Sequence, residues 1–79
     1  MTNYDRYVSV FTNTFEVDAS VLDTLEYQGI ENWDSVGHMG LIAAIEDEFG
    51  IMMETDDIID LSSFKKGMEI LSSKYGIEF

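Results

Sequence analysis

The chain has 79 residues, enough for one domain and too few for two, and a domain of this size buries only about 60–65% of the surface its unfolded chain exposes. It has no cysteine, so neither disulfides nor a Cys-based zinc site can staple the fold, and apolar side chains (46% of residues, 13% aromatic) must hold it together. Sixteen acidic residues against four basic ones give a formal charge of −12, which disfavours DNA, RNA and anionic lipid and favours basic protein partners. No long uninterrupted apolar run is present, and Met1-Thr2-Asn3-Tyr4-Asp5-Arg6 lacks a basic region followed by an apolar stretch. The expectation is a single domain over residues 1–79, a cytoplasmic monomer that binds neither nucleic acid nor membrane.

Proline is absent, so helices can form wherever periodicity favours them. Tyr4, Tyr7, Val8, Phe11 and Phe15 fall at i, i+3, i+4, i+7 and i+11, one apolar face of a first helix behind a Thr2 or Asn3 cap. Residues 16–33 mix short apolar pieces with polar spacers and Gly29, and read as a long ordered loop with room for a turn of helix. Leu22, Leu25, Ile30 and Trp33 are placed to pin it. After Asp34-Ser35 a second helix runs from Val36 to Phe49, with Val36, Met39, Ile42, Ala43, Ile45 and Phe49 on a broad face and Gly50 as its stop. Thr55-Asp56-Asp57 supply the cap and first-turn acids of a short third helix carrying Ile58, Ile59 and Leu61. Ser62-Ser63 cap a last helix with Phe64, Met68, Leu71 and Tyr75 on one face and Gly76 at its end. None of these helices can bury its stripe alone, so the predicted fold is all-α: a four-helix bundle with a short third helix and a long loop between helices I and II.

A serine in the first turn of a helix is commonplace, because its hydroxyl can accept an N–H that the helix leaves unpaired. The setting of Ser35 is more particular. Asp34-Ser35-Val36-Gly37-His38-Met39 resembles the Asp-Ser-Leu motif of acyl and peptidyl carrier proteins. Ala43-Ala44-Ile45-Glu46-Asp47-Glu48-Phe49-Gly50-Ile51 looks like that family's helix II ending, and Asp56-Asp57-Ile58-Ile59-Asp60-Leu61-Ser62-Ser63-Phe64 like its short helix III leading into helix IV. Length, acidity and helix order match over nearly the whole chain.

The resemblance implies that Ser35 is the attachment point of a covalent 4'-phosphopantetheine drawn from coenzyme A, with acyl intermediates held on the arm as thioesters. It implies a separate phosphopantetheinyl transferase, acyl-loading and acyl-transfer enzymes with basic docking surfaces, and no turnover by the carrier itself. No catalytic or metal-ligating residue is assigned. A helix N-terminus suits a phosphodiester, since unpaired N–H groups and the helix dipole favour an anion by roughly 0.3–1 kcal/mol when exposed. Asp34, Val36, Met39, Glu46, Asp47, Asp56 and Asp57 are the candidates for partner recognition, Asp34 doubling as a cap. Acids on the second and third helices can equally be a solvated face; in a carrier their field steers basic surfaces toward the arm.

Gly37 and Gly40 lie in the first turns of the second helix at about 1 kcal/mol each relative to Ala, and either thin the face for packing or admit a partner to the backbone. His38 reads as a surface residue facing solvent or a partner, and Trp33 as a core or loop anchor. Met39, Met52, Met53 and Met68 read as gap fillers that can also adapt to an attached chain. Trp33 before the motif, Val36 for the usual Leu and Gly40 for the usual acid favour a specialised carrier (aminoacyl, polyketide or surface-glycan) over one for fatty-acid synthesis. The competing class is an acidic helical adaptor with no prosthetic group. A calcium loop with its spaced acids and terminal Glu is missing, as is a Gly-x-Ser-x-Gly elbow, and the single histidine makes an independent hydrolase a poor reading.

Overall fold

In the computed structural model, which describes residues 1–79, α1 spans Asn3–Phe15, a 3-10 helix Ala19–Thr24, α2 Ser35–Phe49, α3 Thr55–Asp60 and α4 Phe64–Lys74. The fold is all-α; the one β-type contact is an isolated antiparallel bridge between Glu26 and Ser63. No helix is long and apolar enough to cross a membrane.

Local chemistry sets the helix ends. Thr2 caps α1 by accepting the Asp5 N–H, while the Asp5 carboxylate accepts the Thr2 N–H, a reciprocal capping box. Asp18 caps the 3-10 helix through the Ser20 N–H, and Ser63 caps α4 through the Lys66 N–H. α2 stops at Gly50, whose positive φ of 65° lets its own N–H and that of Ile51 both close on the Glu46 carbonyl. Glu54, not Thr55, precedes α3, and no side chain caps it.

The core is aromatic at its centre: Tyr7, Phe11, Phe15, Trp33 and Phe64 are all buried. Phe15 stacks on Trp33 with ring centroids 5.1 Å apart, and Phe11 meets Phe64 edge-on at 5.0 Å. Tyr7 donates its hydroxyl to the Phe64 carbonyl at 2.7 Å, joining α1 to α4, and burial pushes its phenol far above the usual value. Gly67 makes room for that hydroxyl, since a Cβ there would lie 2.1 Å from it.

The long loop is tied down as expected. Leu22, Leu25 and Trp33 are buried and Ile30 is half-buried. It is also anchored by hydrogen bonds: Tyr27 N–H donates to the Ser62 carbonyl, Phe64 N–H to the Leu25 carbonyl, and the Asn32 side-chain amide to the Phe15 carbonyl.

The buried face of α2 differs from the expected one. Leu41, Ile42 and Ile45 are buried, whereas Val36, Met39 and Ala43 are exposed, because at 3.6 residues per turn they project from the other side of the helix. The two glycines there differ in kind. A Cβ on Gly37 would sit 1.9 Å from the Asn32 carbonyl oxygen, so the loop backbone occupies the space a side chain needs, while a Cβ on Gly40 would meet nothing within 4 Å. Gly37→Ala is therefore expected to destabilise by about 1–3 kcal/mol, and Gly40→Ala to stabilise by up to about 1 kcal/mol. Urea unfolding followed by circular dichroism checks both, and equal effects in the two variants would contradict the distinction.

Candidate functional site

The site is built where the long loop turns into α2. Trp33 is locked in the core, Asp34 adopts an extended backbone, and its Oδ1 accepts the Gly37 N–H at 2.8 Å. The cap of α2 is thus Asp34, which leaves the exposed Ser35 hydroxyl free of that duty. The His38 N–H is taken by the Asp34 carbonyl, so the N–H groups of Ser35 and Val36 remain without a protein acceptor at the head of the helix. Exposed hydroxyl, unpaired N–H groups and helix dipole together fit a phosphodiester on Ser35.

A half-open pocket of about 380 Å³ lies beside Ser35, between α2 and α3. Met39, Ile58, Ile59 and Leu61 supply its apolar wall, Ser35 and Ser62 its polar rim, with Tyr27 and His38 completing the lining.

His38 is not the surface residue the sequence suggests. It is half-buried, and both ring nitrogens are engaged. Nδ1 accepts the Trp33 Nε1–H at 2.9 Å, which assigns the proton to Nε2, and Nε2–H donates to the Ile58 carbonyl at 2.7 Å. The ring is a neutral bridge from the core tryptophan to α3. The signal in the sequence is a buried-type Trp whose N–H needs an acceptor, with a histidine five residues on; its second partner, 20 residues away, leaves no local trace.

Comparison with known protein families, with curated proteins and with solved structures finds no match. The site therefore rests on its own geometry.

The seven residues expected to meet partners divide into two groups. Asp34, Val36, Met39, Asp47 and Asp56 are exposed around the head of α2 and along α2 and α3, with Val36 and Met39 forming an apolar patch. Glu46 and Asp57 are built into the fold instead. Glu46 is half-buried and accepts the Met53 N–H at 2.8 Å, fixing the turn after α2. Asp57 is 2% exposed, and its two carboxylate oxygens accept from Lys74 Nζ at 2.7 Å and from the Tyr75 hydroxyl at 2.6 Å. The Tyr75 hydroxyl oxygen in turn accepts the Glu54 N–H, so the cluster pins α3 to α4. Asp57 does not belong to a docking surface, because its acceptor atoms are consumed internally.

The hydrogen bond from Lys74, then that from Tyr75, hold the Asp57 carboxyl below the usual carboxylate range; burial, then the bond to Asp57, raise the Tyr75 phenol. A carboxyl whose folded value is lowered contributes stability above about pH 4, and that contribution is lost as pH falls through the lowered value. Asp57→Asn is expected to lower the midpoint of thermal unfolding at neutral pH and to shrink the further loss between about pH 5 and pH 2. An unchanged acid dependence in the variant would show that other carboxyls govern it.

Proposed function

We propose that this chain is an acyl carrier protein: a four-helix bundle of the carrier type whose Ser35 bears a 4'-phosphopantetheine arm and presents thioester-bound acyl groups to biosynthetic enzymes. One observation carries the reading. Ser35 is exposed at the head of α2, and the capping role that would explain a serine there belongs to Asp34. Two free N–H groups for the phosphate and an apolar pocket alongside for the cargo add to it.

Attachment consumes coenzyme A. The Ser35 Oγ bonds to the phosphorus next to the pantetheine, the bond from that phosphorus to the bridging oxygen breaks, and adenosine bisphosphate leaves while the transferase takes the serine proton. The chain has no residue placed to activate Ser35 itself: its one imidazole is held by Trp33 and Ile58. This suits a passive carrier acted on by a separate enzyme. Asp34, Asp47, Asp56 and Asp60 offer exposed negative charge near the serine and along α2 and α3, and steer basic enzyme surfaces toward it. Val36 and Met39 give the apolar contact once docked. Trp33, Val36 and Gly40 favour service in a specialised aminoacyl, polyketide or surface-glycan pathway, in the cytoplasm.

Incubation with coenzyme A and a broad-specificity phosphopantetheinyl transferase is expected to add one phosphopantetheine to the wild type and none to Ser35→Ala, read by intact mass. No gain in the wild type, with the transferase active on another carrier and a dedicated transferase also tried, would favour the adaptor without a prosthetic group. Where the mass gain occurs, its initial rate is expected to fall severalfold between about 0.1 M and 1 M salt, as the screening length shrinks from about 10 Å to 3 Å. A salt-independent rate would show that the acids do not steer docking.

A further inference from the structure

His38 both lines the pocket beside Ser35 and bonds to Trp33 of the aromatic core. The lining grades from surface to interior: Ser35, Met39, Ile59 and Ser62 are exposed, His38 is half-buried, and Leu61 is fully buried. Behind His38 lies Trp33, fully buried, its ring nearly parallel to the imidazole at 14° with centroids 6.2 Å apart. Tyr27 meets both rings edge-on, at 5.5 Å from His38 and 6.4 Å from Trp33.

The imidazole is held there. Swinging it aside would leave the Trp33 N–H, inside the core, without its acceptor and the Ile58 carbonyl without its donor. The same ring ties α3, which carries Ile58 and Ile59 of the pocket wall, to the first turn of α2. Both its nitrogens being committed, it offers an occupant carbon atoms and no further hydrogen bond.

We infer that His38 is the specificity-determining residue of this pocket: it closes the inner end, so that an apolar acyl group enters as far as the imidazole and no farther. The substrate class that follows is an apolar acyl group of bounded length, whose carbons beyond the stop remain in water. That these groups arrive on an arm at Ser35 rests on the carrier reading, whereas the depth stop is a property of the unmodified chain. Each methylene that reaches the pocket tightens binding about fourfold, and each one beyond the stop adds nothing.

The test uses unmodified protein and free, uncharged S-acyl pantetheines from acetyl to decanoyl, titrated while the methyl signals of Met39, Ile58, Ile59 and Leu61 are followed by NMR. In the wild type, affinity is expected to rise with chain length and then level off, with the Trp33 indole N–H signal unmoved. In His38→Ala the levelling-off is expected at a longer chain, with decanoyl bound at least tenfold more tightly than in the wild type. His38→Gln, which keeps a donor, an acceptor and most of the bulk, is expected to retain the wild-type limit. Overturning results are an affinity that climbs through decanoyl in the wild type, an unchanged limit in folded His38→Ala, or no methyl shift with any thioester. Should the alanine variant not fold, His38→Asn, which shortens the side chain and keeps a donor and an acceptor, is read in the same way, and an unchanged limit there overturns the proposal. Because the arm is not needed, a failed mass gain with coenzyme A leaves this titration readable, and a flat titration leaves the mass gain readable.

Discussion

Burying Trp33 sets the geometry of everything around Ser35. An indole packed between Phe11 and Phe15 gains a large apolar contact, but its N–H must find an acceptor or cost about 1–3 kcal/mol. His38 supplies that acceptor from the first turns of α2. For the imidazole to reach back, α2 must start just after Trp33, which gives Asp34 the cap and puts Ser35 first on the helix. The loop must also come close, and Gly37 leaves space for the Asn32 carbonyl that a side chain would fill. An exposed serine hydroxyl beside a pocket is thus the outward consequence of an inward requirement of the tryptophan.

The other nitrogen of His38 carries this arrangement across to α3, a helix that could not stand alone. Its six residues are far below the length at which isolated helices persist, and its N-terminus has no side-chain cap. It is held from three sides: by His38 at the Ile58 carbonyl, by Lys74 and Tyr75 at the Asp57 carboxylate, and by the Tyr75 hydroxyl at the Glu54 N–H. The acids of α2 and α3 therefore do two kinds of work. Glu46 and Asp57 spend their oxygens on the fold, and Asp47, Asp56 and Asp60 leave theirs to the solvent and to whatever docks there.

Features decided within a turn of chain were legible in the sequence. The caps Thr2 and Ser63, the Gly50 stop, the positive-φ Gly76 after α4 and the pinning residues Leu22, Leu25 and Trp33 all declare themselves through local chemistry. The 3-10 helix over Ala19–Thr24 has too little periodicity to announce its extent. Val36, Met39 and Ala43 share the broad apolar face expected of α2 yet lie outside its buried stripe, because apolar residues occur almost all round this helix and do not say which side meets the core. Asp57 and His38 differ from expectation for another reason: the partners of Asp57 lie 17 and 18 residues away and the second partner of His38 lies 20 away, so Trp33, five residues before His38, is the one local sign that either side chain is engaged.

Ser35, His38 and Met39 stand at i, i+3 and i+4, so the proposed attachment point and the inner stop of the pocket share one face of α2, about one helical turn of 5.4 Å apart along its axis. A flexible arm leaving Ser35 must double back to place its far end in a pocket that adjoins its own root. That return costs chain entropy, and only the apolar area buried short of His38 offsets it. In the proposed carrier a pocket closed by His38 would make the two terms comparable, so that a loaded group would spend part of its time inside and part in solvent. For a carrier this balance is useful: a reactive thioester is shielded between encounters, yet a docking enzyme need supply little free energy to draw the group out. Deepening the pocket by removing the His38 ring would shift that balance toward retention, at the expense of transfer.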